Sequence, residues 1–217
     1  MMIHQSDKPN KLSNFSKSYY LVIDFEANCS GKNIQDHEII EFPAVLVNAE
    51  TNEIISEFRS FVKTHSGKKL SKFIKALTHI TDENMFNGLT FSDCLIEFEK
   101  WCHENDISSE STTIVTVGDW DLDTMLPNQL KITGLKLNQF LNNLFSSWTN
   151  VKDYFVAHAG GKAMGMAGML AYFELELDGH HHSGIDDCRN TVKICKKLCE
   201  LGFDMTKPTF YKTEKFG

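Results

Sequence analysis

Long apolar runs are missing from this sequence of 217 residues. No stretch approaches the roughly 20 apolar residues that a membrane-spanning helix needs. Residues 1–18 are polar and mixed, without the apolar segment of a secretory signal. We therefore expect a soluble intracellular protein, cytoplasmic by default, with no membrane partner.

Paired cysteines are missing as well. The six cysteines are scattered, and no two of them have the CxxC spacing. In a chain of this length the pattern excludes a small disulfide framework and predicts reduced thiols. Internal repeats and low-complexity blocks are also absent. A hydrophobic content of 41% and a charged content of 24% are typical of a globular domain.

Positive charge is scarce, because 22 Lys and Arg residues face 29 Asp and Glu residues, for a net charge of −7. This balance argues against a protein that coats nucleic acid by charge alone. It is compatible with an enzyme that binds a short strand end. If the acidic residues include a cluster of metal ligands, the bound cations would offset part of the net negative charge that the sequence alone shows.

The apolar pattern predicts strands first and helices later. Predicted strands cover residues 19–23, 38–48, 54–62 and 112–117, and Pro43 in the second indicates an edge or a bulge. Predicted helices cover residues 70–77, 90–104, 122–130, 137–144, 150–158, 163–175 and 186–201, and a further helix begins near Thr81. This order favours the α/β class, with a mixed sheet flanked by helices. Residues 1–18 and 208–217 are predicted to fray.

Two carboxylates follow the first predicted strand. Asp24 and Glu26 are two residues apart, so in an extended strand their side chains point to the same face. Two such carboxylates repel each other, and burying both in charged form is unfavourable. A hard cation such as Mg²⁺ or Mn²⁺ bound between them removes that cost. For this pair alone, a solvated strand end is the commoner alternative.

Two further acidic groups follow later in the chain. Asp119, Asp121 and Asp123 share the turn after the strand at residues 112–117, where each is a candidate metal ligand or helix N-cap. Asp186 and Asp187 open the last helix, where either acid could serve only to stabilise the helix dipole.

Three consecutive histidines, at residues 180–182, precede the last two acids. A soft-metal site is one interpretation, but no cysteine lies at the spacing of a structural zinc site, which we therefore disfavour. Taken together, the acids and one imidazole supply four carboxylates for two divalent ions and a titratable base. These are the groups that metal-assisted attack of water on a phosphodiester requires.

Five segments resemble the DEDDh exonuclease superfamily, which is related to ribonuclease T and to polymerase proofreading domains. They are DFEANC (24–29), HEIIEFPAVLVN (37–48), ALTHIT (76–81), GDWD (118–121) and HHHSGIDDCRN (180–190). The strongest similarity is to the branch that contains the 3′ exonucleases of histone mRNA and small RNA. The resemblance implies a ribonuclease H-like fold with a mixed five-stranded sheet flanked by helices. It divides the chain into a flexible segment 1–18, an exonuclease domain 19–202 and a C-terminal tail 203–217.

The resemblance also implies the roles of individual residues. By position it assigns the metal ligands to Asp24, Glu26, Asp121 and Asp187, and the general base to His182. Asp121 is chosen because the family's middle ligand directly follows the residue that matches Trp120. His182 is chosen because four residues separate it from Asp187, which leaves His180 and His181 as loop residues or phosphate neighbours. The implied cofactors are two Mg²⁺ ions, with Mn²⁺ as a substitute.

Substrate contacts are implied in the same way. Trp120 and Phe73 are expected to pack against the terminal base, which suits trimming without sequence preference. For Phe73, ordinary core packing is an equally good alternative. Main-chain groups at Phe25 and Ala27 are expected to meet the terminal sugar, including a 2′-OH, and Thr78 to help hold the strand. The implied partner is a single-stranded 3′ end, with RNA favoured over DNA.

The predicted function is therefore a metal-dependent 3′–5′ exonuclease that releases nucleoside 5′-monophosphates. A non-catalytic nucleic-acid-binding protein on the same fold is one alternative, although the complete set of acids and His182 argues against it. A metal-dependent phosphoesterase for small substrates is the other. Product analysis separates them, because an exonuclease requires a free 3′-OH.

Overall fold

A computed structural model of the chain describes residues 17–29, 33–213 and 216. The predicted flexible segment 1–18 lies outside these residues, except for Lys17 and Ser18. The Lys17 ammonium donates to the carbonyl of Thr112 at 3.0 Å, and the Ser18 carbonyl accepts the N–H of Ala49 at 2.9 Å. Lys17 and Ser18 are therefore already tied to the sheet.

The described residues form strands and helices in a mixed order. The strands are β1 (Tyr19–Ile23), β2 (Glu26–Asn28), β3 (Glu38–Asn48), β4 (Ile54–Phe61), β5 (Thr112–Thr116), β6 (Ser147–Asn150) and β7 (Phe210–Tyr211). The helices are α1 (Lys72–Thr78), α2 (Asp82–Asn87), α3 (Phe91–Glu104), α4 (Leu126–Thr133), α5 (Gln139–Leu144), α6 (Val151–His158), α7 (Met166–Tyr172) and α8 (Gly184–Glu200). A 3₁₀ turn at Ile34–Asp36 precedes β3, and a π-helical turn at Trp120–Met125 precedes α4.

The strands pair in one sheet, with seven strands among the described residues, in the order β2-β3-β1-β5-β6-β7, and β4 pairs with β3. β1 is antiparallel to β3 and parallel to β5, and β5 is parallel to β6. β3 pairs with β1 through residues 44–48 and with β2 through residues 38–41. β1 and β2 therefore follow one another along the same edge of β3, with Asp24 in the gap between them.

Helices cover both faces of the sheet, as the alternation of buried residues in β1 shows. Leu21 and Ile23 belong to one core with residues of α3 and α4, whereas Tyr20 and Val22 belong to the other with residues of α7 and α8. A strand buried on both faces reads as a continuous apolar run, which is why β1 and β3 stand out in the sequence. The sheet is thereby fixed from both sides.

The predicted mixed sheet flanked by helices is confirmed, but the predicted number of five strands is wrong. β2 and β7 are three and two residues long, and β6 has the polar sequence SWTN. Segments this short carry no periodic signal, so only long-range pairing reveals them. β7 lies in the predicted C-terminal tail, and Phe216 is buried against Phe145 with ring centroids 6.4 Å apart. At these positions the predicted fraying is wrong.

Pro43 was predicted to mark an edge or a bulge. The edge is wrong, because Pro43 lies on an inner strand, whereas an irregularity in the pairing of β3 with β2 agrees with the bulge. Pro43 pairs with Arg59 of β4 on one side, and on the other side it falls between the stretches paired with β1 and β2. A register shift lies close by, between Glu26 and Ala27. The interrupted pairing leaves room for a residue that has no N–H group.

Two further observations concern membrane-spanning helices and the cysteines. No helix within residues 17–29 and 33–213 is both long and apolar enough to cross a membrane. All six cysteines are free thiols, as their spacing predicts. Four of them are buried, which makes them small apolar packing residues in the core.

Candidate active site

The acidic residues of three distant segments meet at one edge of the sheet. β1 and β5 are parallel neighbours, so Asp24 and the turn after β5 emerge at the same edge. The main-chain N–H of Phe25 donates to the Asp121 carboxylate at 2.8 Å. The first residue of α8 is so close that a Cβ on Gly184 would lie 2.8 Å from the Asp24 carbonyl oxygen and 3.4 Å from Glu26 Cγ.

In the resulting cleft, burial and repulsion between the carboxylates both disfavour the charged forms of the acids. Burial raises the pKa of Asp24 well above its ordinary value, and repulsion from Asp121, Glu26 and Asp187 raises it further. Burial and the charges of Glu41 and Asp187 raise the pKa of Glu26 to about 9. Carboxylates that repel one another in this way form a site that a divalent cation would stabilise.

Asp121 enters the cleft because of a π-helical turn. The N–H of Leu126 bonds to the carbonyl of Asp121, five residues earlier, which widens the turn directly after Gly118. Single π turns are frequent at functional sites. Burial raises the pKa of Asp121 to about 7, although the N–H of Phe25 and the charge of Lys152 oppose the shift.

The two competing acids on this turn have other partners. Asp119 accepts hydrogen bonds from Trp148 Nε1 at 2.9 Å and from Asn150 Nδ2 at 3.1 Å, which anchors the turn to β6. Asp123 faces outward and pairs with Lys212 at 3.1 Å. Of the three aspartates, Asp121 is the one that lies among the other acids of the cleft.

The two acids at the start of α8 also separate by role. Asp186 accepts the main-chain N–H of His180 at 3.1 Å and pairs with Arg189 at 3.0 Å, so it fixes the loop. Asp187 is buried and accepts the main-chain N–H of His182 at 2.8 Å. Asp187 therefore faces the cleft, whereas Asp186 faces the loop that precedes the helix.

His182 lies beside Asp187 at the wall of the cleft. Its backbone is left-handed, with a φ of 70°, and one of its ring nitrogens is near the Asp187 carboxylate. Burial and the neighbouring His181 lower the pKa of His182, and Asp187 opposes the shift. The shift favours the neutral form of the imidazole, which is the form that can accept a proton. The ring of His180, in contrast, contacts that of His79, with centroids 3.6 Å apart and planes inclined by 40°.

Sequence reasoning missed Glu41, which is fully buried beside the cleft. It pairs in register with Glu26, accepts the N–H of Gly184 at 3.2 Å and accepts Arg59 Nε at 2.8 Å. Burial raises its pKa, and the Arg59 guanidinium opposes that shift. Glu41 thereby holds the start of α8 against β3. The available signal was a charged residue inside the apolar run of β3.

Lys152 was also missed, because nothing in the pattern of α6 distinguishes it. A Cβ on Gly118 would lie 3.3 Å from its ammonium nitrogen, and its charge lowers the pKa of Asp121. Lys152 therefore brings a positive charge to the acidic cleft, next to the turn that carries Asp121.

The predicted substrate residues fall into two groups. Phe73 is 71% exposed and Trp120 is 38% exposed, so both rings are open to a ligand and the core-packing alternative for Phe73 is wrong. The side chains of Phe25, Ala27 and Thr78 are buried. The Thr78 hydroxyl donates to the Ile74 carbonyl at 2.9 Å, so its predicted contact with a strand stays a prediction.

Comparison with known proteins relates the cleft and the sheet from β1 to β6 to nucleases. The RNase_T exonuclease family model matches residues 21–195. The chain is 35% identical over 202 residues to human "ERI1 exoribonuclease 2", which covers 85% of this chain and 29% of that protein. It is 32% identical over 206 residues to human "3'-5' exoribonuclease 1", covering 90% and 57%. The chain thus spans less than two thirds of these relatives.

Solved structures share the fold. The nuclease domain of 3′hExo, described as a DEDDh family member bound to rAMP, matches with a TM-score of 0.79 and 28% identity, over 90% of this chain and 98% of that one. A structure titled "Crystal structure of cell-death related nuclease 4 (CRN-4)" matches with a TM-score of 0.76, over 86% and 65%. At 22% identity, the latter supports the fold alone.

Proposed function

Because this chain belongs to the RNase_T exonuclease family, we propose that it is a metal-dependent 3′–5′ exonuclease that trims single-stranded RNA. The observation that carries the proposal is one cleft in which carboxylates from three distant segments meet beside an imidazole. The products are nucleoside 5′-monophosphates, released one at a time from a free 3′-OH.

The four predicted acids fit the role of metal ligands. Asp24, Glu26, Asp121 and Asp187 offer only oxygen donors, which suit Mg²⁺ or Mn²⁺. Burial and mutual repulsion raise the pKa values of Asp24 and Glu26, and cations bound between the carboxylates would relieve that repulsion. When bound, two such ions would lower the pKa of a water molecule and stabilise the leaving 3′ oxygen.

His182 serves as the general base. Its burial favours the neutral imidazole, which accepts a proton from the attacking water. The hydrogen bond from its main-chain N–H to Asp187 fixes the loop, which keeps His182 next to this predicted metal ligand. Lys152 adds a positive charge beside Asp121, where it would attract a phosphate of the incoming strand.

The exposed aromatic rings hold the terminal nucleotide. Phe73 and Trp120 stack on its base, and stacking accepts every base because each has a π-face. Main-chain groups from Phe25 to Ala27 line the gap after β1 and meet the terminal sugar. A 2′-OH there would distinguish RNA from DNA. The names of the relatives, which are called exoribonucleases, support RNA as the substrate.

A product assay tests the function and separates the alternatives. End-labelled RNA and DNA oligonucleotides, single- and double-stranded, are incubated with Mg²⁺ or with EDTA. We expect stepwise shortening of single-stranded RNA from its 3′ end in Mg²⁺, no cleavage in EDTA, and resistance of a 3′-phosphorylated strand. Release of inorganic phosphate without shortening would indicate the small-substrate phosphoesterase, and binding without cleavage would indicate the non-catalytic protein.

Asp24→Asn is the most direct variant. We expect turnover to fall by at least about a hundredfold, since loss of mere outer-shell partners already costs roughly 10–100-fold. Circular dichroism should show an intact fold, and calorimetry should show weaker Mn²⁺ binding. Asp123→Asn is the matched control, because this acid lies on the turn of Asp121 but pairs outward with Lys212. Wild-type turnover in Asp24→Asn would remove Asp24 from the mechanism.

A further inference from the structure

The proposed function leaves the side chain of His181 without a task. Its Nδ1 atom lies 3.1 Å from one carboxylate oxygen of Asp187 and 3.2 Å from the other. Its ring stacks on the ring of His182, with centroids 3.9 Å apart and planes inclined by 20°. One donor atom from each of these three residues lies within 4.8 Å of the other two. Two imidazoles and one carboxylate therefore meet at the cleft wall.

This donor set differs in chemistry from the four carboxylates beside it. Mg²⁺ prefers oxygen, whereas imidazole nitrogen suits Zn²⁺ and related transition ions. Two histidines and a carboxylate with an open fourth position are a common composition of zinc centres that bind an exchangeable ligand. Donors bound to zinc at about 2.0–2.2 Å lie roughly 3.4 Å from each other. Small rotations of the three side chains would bring their donor atoms to that spacing.

The loop holds the two imidazoles at fixed positions. Asp186 accepts the N–H of His180, the N–H of Ser183 donates to the His180 carbonyl at 3.0 Å, and Asp187 accepts the N–H of His182. The left-handed backbone of His182 directs two adjacent side chains toward one acid. Consecutive residues in an extended strand would point to opposite faces.

His180 does not belong to this group. Its ring contacts the ring of His79, which ends α1 in a left-handed conformation. The triplet therefore divides into one histidine that contacts α1 and two that face Asp187. This division provides a neighbouring residue of the same type as a control for any experiment on His181.

We propose that His181, His182 and Asp187 form a zinc-binding subsite whose occupation inhibits the enzyme. A zinc ion held there engages the ring nitrogen with which His182 would accept a proton. It also engages a carboxylate that the catalytic ions require. The inhibition rests on the proposed exonuclease function, whereas the binding of zinc does not. Zinc thus competes with catalysis through a residue, His181, that catalysis itself does not use.

The test measures zinc binding directly in the full chain. Zn²⁺ is titrated calorimetrically into wild-type protein, His181→Ala and His180→Ala, each in excess Mg²⁺. Co²⁺ is the second probe, because its visible absorption reports nitrogen-containing sites of low coordination number. We expect His181→Ala to weaken Zn²⁺ binding by at least about tenfold, a lower bound taken from outer-shell losses of 10–100-fold. His180→Ala should bind like wild type.

Inhibition is the second readout, measured as the zinc concentration that halves turnover in Mg²⁺. We expect that concentration to rise by about tenfold or more in His181→Ala and to stay unchanged in His180→Ala. Equal zinc binding in wild type and His181→Ala would overturn the proposal, as would equal losses in both variants. If the protein has no exonuclease activity, the calorimetric and absorption results still decide the binding. The side chain of His181 is 41% exposed, so its removal should leave the fold intact.

Discussion

Asp24 is buried among like charges. It lies between β1 and β2, where burial and the charges of Asp121, Glu26 and Asp187 all raise its pKa. Glu41, by contrast, has the Arg59 guanidinium and the N–H of Gly184 as partners, and these offset part of the cost of burying its charge. At the scale of single residues, the carboxylates of the cleft therefore differ in how far their neighbours offset the cost of burying their charge.

His182 and His180 offer a residue-scale prediction for the base. His182→Ala should lower turnover by roughly 10²–10⁴-fold, the usual contribution of general acid–base catalysis, with Mn²⁺ affinity changed only slightly. His180→Ala should be mild, because its ring contacts His79 and not the cleft acids. Single-turnover kinetics with saturating Mg²⁺ measures both. The reverse ranking of the two variants would mean that His182 is not the base.

Two structural elements bring the ligands together, the turn after β5 and the start of α8. The π-helical turn directs Asp121 inward while Asp119 is held by Trp148. The start of α8 lies against the gap after β1, and Gly184 allows that approach because it has no side chain. The spacing of the acids thus depends on how closely α8 packs against β1 and β3.

Gly184→Ala tests this packing. The added methyl would lie 2.8 Å from both the Asp24 carbonyl oxygen and Pro43 Cγ, so α8 must shift away. We expect a loss of stability of about 1–3 kcal/mol, typical of overpacking, together with weaker Mg²⁺-induced stabilisation. Gly165→Ala is the control, because a Cβ there meets nothing within 4 Å. Thermal melts with and without Mg²⁺ measure both, and similar behaviour of the two variants would contradict the close approach.

The aromatic rings on α1 and on the π turn allow a second prediction at this scale. Phe73→Ala and Trp120→Ala should each raise KM for RNA by tenfold or so, since base stacking contributes roughly 1–3 kcal/mol per base. Tyr211→Ala is the control, because this ring is 67% exposed on β7. Steady-state kinetics on oligonucleotides with different 3′ bases measures the effect. If KM is unchanged in both variants, the terminal base is held elsewhere.

Across the whole molecule, the two helical layers pack against both faces of the sheet and hold the acids of the cleft close together. Two acids of the cleft have raised pKa values in the folded chain, about 9 for Glu26 and about 7 for Asp121. Between about pH 4 and those pKa values, each group binds more protons in the folded state than in the unfolded state. The contribution of these groups to the free energy of unfolding is therefore fully present below their ordinary pKa of roughly 4. It is lost as the pH rises through their folded-state pKa values of about 7 and about 9.

The metal-free protein should accordingly be less stable at pH 8 than at pH 5.5. We expect its melting temperature in EDTA to fall by about 5 °C or more over this range, since 1 kcal/mol corresponds to roughly 2–4 °C in a chain of this size. Mg²⁺ should raise the melting temperature more at pH 8 than at pH 5.5. The double variant Asp24→Asn with Glu26→Gln should flatten the pH dependence, and an undiminished slope would refute the electrostatic account.

The sequence predicted the family, the class of fold and most of the elements, because these depend on local chemistry. The apolar run of β3 was found with its boundaries at residues 38 and 48, and the family resemblance of DFEANC and HHHSGIDDCRN is confirmed. Short strands such as β6 and β7 were missed, since two to four residues carry no period. Lys152 was missed because only its neighbours in space distinguish it from an ordinary charged residue. Glu41 was missed although its charge interrupts the apolar run of β3.

Local sequence determined by itself which residues carry charge and where strands end, and so which acids could be ligands. Only the tertiary structure decided which of them meet. Apart from the family resemblance, nothing in the local sequence separates Asp121 from Asp119 and Asp123, but Trp148, the cleft and Lys212 give the three different surroundings. In the same way, His181 faces Asp187 while His180 faces His79. The physical reason is that an ionisable group's energy depends on charges and burial contributed by segments distant in sequence.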